Sequence, residues 1–547
     1  MTAIREPPRC RPVTRPLVAL AAFAVLAVAH TWPLAGNPAH LSRNDNADTL
    51  LNTWAIAWVA HQLPRDPLHV FDAPIFYPER LTLGYTEAMI VQGLMAVPIV
   101  GAGGSPVLAY NLVLIAGMAL TGWAFCLLVW RWTGSWAAGY LAGSLAAFNS
   151  FVLMRLPHLQ TQHVEFIALA LFALDRLVVS RRLRDAVWLG VGFALQGLTS
   201  VYLLVFTTWM LIFAVLGRAG EWLRREPARM IGLLVVAAAT ATLLMAPYLW
   251  AYYSLHRLTG VERTMEEARM FAGSWVSYLI SGSRVHFGLW SRRFFGRSES
   301  PGFPGVTALV LVALALAWPE TRRDPRVRMC LAAAAGCAIV SMLPGTPIYP
   351  RLHRSILLFR AVRVPARLAQ MVLLMIAVVA GFGLAGLGRR WRHKRTWPVV
   401  GMVVCALANL EALRAPFGFT PFTEIPPVYD ALARERDAIV VELPFWAPRV
   451  YFLNGSYMLN STRHWRPLLN GYGGFRPSSY VDTYDRVQGF PDVLSLTALH
   501  DRGVTYVVVH RAEFCALAGA VRCDAIGRTA SLQSVVEDGD IHIYRLR

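Results

Sequence analysis

Lysine is almost absent from this chain: Lys394 is the single one in 547 residues, and every other basic side chain apart from histidine is arginine. Charge of either sign is scarce too, at 16% of residues, against about 25% in a soluble globular chain. That deficit excludes an ordinary soluble domain. It takes the form of long apolar blocks, with 56% of residues hydrophobic, separated by short arginine clusters, the pattern of a polytopic membrane protein. A net charge of +19 would suit nucleic acid, but the basic residues fall between apolar segments. The positive-inside rule accounts for that placement, and no nucleic-acid partner is expected. No P-loop pattern of glycines followed by lysine occurs, which argues against a soluble nucleotide substrate. Cysteine is sparse and has no zinc or haem spacing: Cys10, Cys126, Cys330, Cys337 and Cys405 lie at the N-terminus or within apolar segments. Cys515 and Cys523 stand in the polar C-terminal stretch, where they can pair if it faces an oxidising compartment.

Spanning a bilayer takes about 20 apolar residues. Runs of that kind predict helices near 16–36, 107–130, 136–153, 164–179, 230–253, 303–318, 329–343, 366–388 and 397–413. The run 186–217 is too long for one pass and is interrupted by Gly197, Thr199 and Ser200, so it predicts two helices meeting near Ser200. Arg5, Arg9, Arg11 and Arg15 precede the apolar stretch Val18 to Ala35, which lacks a convincing cleavage site and reads as a signal anchor. Arginine clusters at 181–184, 218–229, 322–328 and 389–395 should be cytoplasmic. Parity then makes Glu87–Gly101 a re-entrant or interfacial segment, short and interrupted by Gln92, Gly93 and Pro98. The expected fold is mainly α: a bundle of about eleven transmembrane helices, N-terminus in and C-terminus out, over residues 1–414. Residues 415–547 form a small extracytoplasmic α/β domain, with strand candidates Ala438–Leu443, Val504–His510 and Ile541–Leu546.

Polar residues collect on the outer side. The first outer loop, 37–106, carries Asp45 and Asp48 ahead of an amphipathic surface helix, Leu50 to Gln62, with Asn52, Trp54, Trp58 and His61; Glu87 and Gln92 follow. Two carboxylates three residues apart suit proton abstraction and the holding of an acceptor or a divalent ion. Alternatively, Asp48 caps a helix starting at Thr49. A second loop, 154–163, holds Arg155, His158, Gln160, Gln162 and His163, as a cavity lining or as a wetted interfacial turn. Arg351, His353, Arg354, Arg360, Arg363 and Arg367 lie outside, against the positive-inside preference. Arg363 and Arg367, four apart, would share one helical face and suit a phosphate; anionic lipid headgroups or the C-terminal domain are the other partners for such a group.

Four stretches together resemble the GT-C superfamily of polytopic glycosyltransferases, and within it the bacterial branch related to dolichyl-phosphate-mannose protein mannosyltransferases and aminoarabinose lipid A transferases. They are Asp48-Thr49-Leu50-Leu51-Asn52-Thr53-Trp54 with Trp58 and His61, Ile75-Phe76-Tyr77-Pro78-Glu79 running on to Pro106–Asn111, Leu156-Pro157-His158-Leu159-Gln160, and Phe359–Arg367. The run Arg463-His464-Trp465 through Asn470–Phe475 is similar to the outer domain of that branch. The resemblance implies a first outer loop that forms the catalytic floor, with Asp48 as general base and Asp45 beside it. It also implies a polyprenyl-phosphate-linked sugar held by Arg363, Arg367 and Arg360, with His158 and Gln160 near the sugar. Glu87, Asn52 and His61 are the candidates for binding a glycan, lipid or protein acceptor. Asp45 and Asp48 depart from the Asp-X-Asp form of some members, which leaves Mg or Mn dependence open. The implied location is the bacterial cytoplasmic membrane, active site outward. A transporter or flippase of lipid-linked or glycan substrates is the rival, and it would place ionisable groups at the bilayer midplane.

Overall fold

The computed structural model describes residues 14–43, 45–260, 264–297 and 300–547. Arg5, Arg9, Cys10 and Arg11, which entered the sequence reading, lie outside them. A helix stands at every predicted apolar run: α1 (Thr14–His30), α4 (Pro106–Thr133), α5 (Trp136–Ala147), α6 (Glu165–Ser180), α7 (Leu183–Thr199), α8 (Val201–Gly217), α9 (Pro227–Thr259), α10 (Val306–Ala317), α11 (Pro325–Met342), α12 (Ala369–Arg390) and α13 (Trp397–Ala412). The outer loop contributes α2 (Ala47–Gln62) and α3 (Ile90–Gly101). Among the described residues, five helices are long and apolar enough to cross a membrane: Pro106–Thr133, Trp136–Met154, Pro227–Thr259, Pro325–Gly345 and Pro365–Arg390.

Local chemistry sets the boundaries. Ser105 Oγ accepts from the Leu108 amide and Pro106 opens α4, while Gly134 at φ +73° closes it. Ser200 is extended and its Oγ accepts from the amides of Tyr202 and Leu203, which breaks the long apolar run into α7 and α8. The first helix stops at His30 rather than near 36, because Pro33 cannot continue it. At one end of the bundle the arginine clusters interlock. Arg218 donates to Asp175 at 2.7 Å, Arg229 to the Arg181 carbonyl at 3.3 Å and Arg326 to the Trp132 carbonyl at 3.0 Å.

The C-terminal region carries a four-stranded sheet in the order β3 (Val440–Leu443), β4 (Tyr506–His510), β6 (Ile541–Leu546), β5 (Leu532–Asp538), with β3 parallel to β4 and the other pairs antiparallel. Strands β3 and β4 are buried on both faces, as a parallel pair should be. The edge strand β5 was not among the sequence candidates: it is mostly exposed and polar, ending in Glu537 and Asp538, the composition that guards an open edge.

This region is docked on the outer loop. A short pair, β1 (Leu41–Ser42) with β2 (Thr420–Pro421), links the two. The amides of Phe76 and Tyr77 donate to the carbonyls of Asn470 and Leu468 at 3.1 and 3.0 Å, the Leu468 amide to Pro74, and the Phe475 amide to Tyr85. The helix Gly455–Ser461 packs on α2, which therefore is not the amphipathic surface helix expected from its sequence: Leu51 through Ala60 are buried all round.

Candidate functional site

Asp48 stands in the first turn of α2, which begins at Ala47. The cap is Asn46, in extended conformation, whose Oδ1 accepts from the Asp48 amide at 2.9 Å. The Asp48 carboxylate is thereby free of capping and points away from its own helix. Its Oδ1 accepts from the Tyr472 hydroxyl at 2.8 Å, and its Oδ2 lies 3.4 Å from His158 Nε2. Beside the same nitrogen is Arg367, with Nη2 at 3.2 Å and its guanidinium over the Tyr202 ring at 5.4 Å. A carboxylate and a guanidinium thus meet at one imidazole nitrogen.

Burial above all, then the charges of Arg367 and Arg155, hold the His158 pKa well below the usual histidine range, so the ring is neutral. A neutral imidazole has one N–H. Nε2 therefore either accepts from Arg367 or donates to Asp48, but never both, and the choice of tautomer decides which neighbour it serves. Burial and the Asp48 charge push the Tyr472 pKa upward, keeping its phenol a donor. Gln160 Oε1, His158 Nδ1 and Arg367 Nε are buried without a hydrogen-bond partner among the described residues, an unusual concentration for groups that normally find one.

The other candidates are placed as follows. Asp45 turns to Arg43, 3.1 Å away at the surface. Asn52 is buried and donates to the Pro157 carbonyl at 2.7 Å, tying α2 to the loop that carries His158. Glu87 accepts from the Val201 amide at 3.0 Å, a carboxylate at the N-terminus of α8. His61 lies at the other end of α2 from Asp48, its ring 4.8 Å from Trp465 and 6.1 Å from Trp58; burial and Arg65 bring its pKa down to about 4. Arg360 donates to the carbonyls of His353 and Arg354 at 3.0 and 2.6 Å. Arg363 lies 3.4 Å from Glu267 and over the Phe271 ring at 5.8 Å. Arg363 and Arg367 do not share a helical face: the helix starts only at Pro365, after Val364 in a non-helical conformation, as a residue before proline prefers.

Sequence reasoning quoted Tyr472 only as part of a motif. Its local signal is the pair of glycines around it. A Cβ on Gly471 would come within 2.7 Å of the Phe76 ring and one on Gly473 within 3.0 Å of the Tyr85 carbonyl oxygen, so only glycine lets this strand of chain lie flat on the outer loop.

A divalent cation does not suit the donor set. Asp48 has one oxygen bonded to Tyr472 and the other beside His158, and Asp45 is engaged by Arg43. Among the described residues no three His, Cys, Asp or Glu side chains gather.

No protein-family model and no curated protein matches the chain. Solved structures do. Arabinofuranosyltransferase AftD from Mycobacteria, in a mutant form, superposes with a TM-score of 0.59 at 14% identity, covering 98% of this chain and 42% of that one. The oligosaccharyltransferase of Archaeoglobus fulgidus gives 0.51 at 13% identity, covering 91% of this chain and 69% of that one. The chain has the GT-C fold. It spans less than half the length of AftD. In this GT-C fold the Asp48–His158–Arg367 cluster lies at the helix ends opposite the interlocked arginines, where α6 and α12 begin.

Proposed function

We propose that the protein is a polytopic membrane glycosyltransferase that moves a sugar from a polyprenyl-phosphate donor to an acceptor hydroxyl with inversion. The observation that carries this reading is the convergence of Asp48, His158 and Arg367 from the outer loop, the second loop and the start of α12. The structures that share the fold are named for pentose and oligosaccharide transfer, which supports a glycosyl reaction. Arg367, together with Arg363, holds the donor phosphate, and His158 and Gln160 lie against the sugar. The acceptor hydroxyl gives its proton to Asp48 Oδ2 as its oxygen bonds to the anomeric carbon. The bond from that carbon to the phosphate oxygen breaks, and polyprenyl phosphate leaves with the electron pair, its charge met by arginine. General-base assistance supplies about 10²–10⁴-fold. No step runs through a metal.

The proposed setting is a bacterial cytoplasmic membrane crossed about eleven times, with the arginine-rich end cytoplasmic and the site outside. The chain divides into 1–414 and 415–547, and the Cys515–Cys523 disulfide in the second part suits an oxidising compartment. Glycan, lipid or protein is the acceptor.

Membranes bearing wild type or Asp48→Asn, supplied with radiolabelled sugars on polyprenyl phosphate, provide the test. Transfer that falls at least about a hundredfold in a normally folded Asn variant supports the enzyme and its base. Equal transfer removes Asp48 from the chemistry. Transfer from no donor by wild type overturns the reading.

A further inference from the structure

Tyr472 stands 424 residues from Asp48 and on a different part of the fold, yet its hydroxyl meets Asp48 Oδ1 at 2.8 Å. It is firmly held there. Its ring meets Tyr451 edge-on at 5.3 Å, its amide faces Met458 Sδ at 3.1 Å, and the Tyr451 hydroxyl closes on the Gly473 carbonyl. An ionised carboxylate only accepts, and a phenol has one proton to give. With Oδ1 engaged by that phenol, the oxygen facing His158 is the freer one for substrate.

We propose that Tyr472 is a positioning residue of the transfer site: by donating to Oδ1 it fixes the rotation of the Asp48 carboxylate and reserves Oδ2 for the acceptor proton. This rests on Asp48 being the base. It follows that the site is complete only while the C-terminal region is docked on the outer loop, since no residue of the helical bundle makes this bond among the described residues.

Tyr472→Phe keeps the ring and its packing on Tyr451 while deleting the hydroxyl, and two readouts decide. Carbodiimide labels protonated carboxyls and needs no substrate. The Tyr472 hydroxyl covers Oδ1, so peptide mass spectrometry at one fixed pH should find Asp48 labelled several-fold faster in the variant. An unchanged labelling rate overturns the proposal. In transfer assays with the polyprenyl-phosphate sugar that wild type uses, kcat should fall about tenfold with donor KM unchanged. The double variant Asp48→Asn/Tyr472→Phe should be no slower than Asp48→Asn alone. A further loss in the double variant, or a loss that tracks a lowered melting temperature, assigns Tyr472 to docking instead and overturns the proposal. Full transfer by Asp48→Asn would remove the base, while labelling would still report whether Tyr472 orients that carboxylate.

Discussion

Among single side chains, His464 sets a limit on stability in acid. It is 5% exposed and its Nδ1 accepts from the Arg466 amide at 2.9 Å; burial and then the Arg466 charge bring its pKa down to about 3. In the unfolded chain it takes a proton near the ordinary histidine value, about 6.5. Between those two values the unfolded state binds the proton and the folded state does not. Stability from this group is therefore complete above about pH 6.5 and is lost as pH falls, by about 2 kcal/mol at about pH 5. His158 acts in the same direction. Thermal melting of the purified protein across that range should show the decline, and His464→Asn, which keeps an acceptor for the Arg466 amide, should flatten it; an unaltered slope would trace the loss to another group. Residues of this kind differ in how far sequence exposes them. Asp48, His158 and Arg367 were legible because polar side chains between apolar runs are few. Tyr472 was not, since a bond spanning 424 residues leaves no local trace beyond the flanking glycines. Arg363 parted from Arg367 because Pro365 governs the backbone before it.

At the level of elements, α2 and α3 show where periodicity stops being informative. The apolar runs located the bundle helices well, since each is bounded by proline, glycine, serine or arginine. The burial of α2 was illegible because what covers it comes from the far end of the chain. Its cap separates two roles that the sequence left entangled at residues 46–49. Asn46→Ala should lower stability by about 1 kcal/mol with turnover per folded molecule retained, whereas Asp48→Asn should spare stability and cut turnover at least about a hundredfold; melting curves beside transfer rates resolve the pair. Helix α3 is seated through Gly93, where a Cβ would lie 2.3 Å from Val59 Cγ1, a β-branched side chain with little room to turn. Gly93→Ala should therefore destabilise by about 1–3 kcal/mol. Val59→Gly, which removes the Val59 Cβ at 2.4 Å as well as Cγ1, should cost less in the Gly93→Ala chain than in wild type, a coupling that two independent substitutions would not show.

For the whole molecule, the two ends of the bundle are chemically unlike, and that asymmetry gives the proposed orientation its test. One end is tied by Arg181, Arg218, Arg229 and Arg326, and α12 runs into Arg389 and Arg390 there. The other end bears Asp48, His158 and Arg367, covered by a region whose cysteines, Cys515 and Cys523, are joined. Arginine retained on the cytoplasmic side and a disulfide formed outside are separate physical effects, one from membrane insertion and one from redox compartment. Both favour the proposed orientation. In intact cells, a membrane-impermeant maleimide should label a cysteine placed at the exposed Arg434 and leave one placed at the exposed Arg392 unlabelled until the membrane is opened. The four cysteines outside the disulfide that the structure describes are buried or half-buried, so replacing them, together with Cys10, with serine or alanine removes background at small risk to the fold. Labelling of the Arg392 position alone would invert the molecule. A lipid-linked donor would then have to be met in the cytoplasmic leaflet, where soluble activated sugars are also at hand, and the case for a polyprenyl-phosphate substrate would lose its topological support.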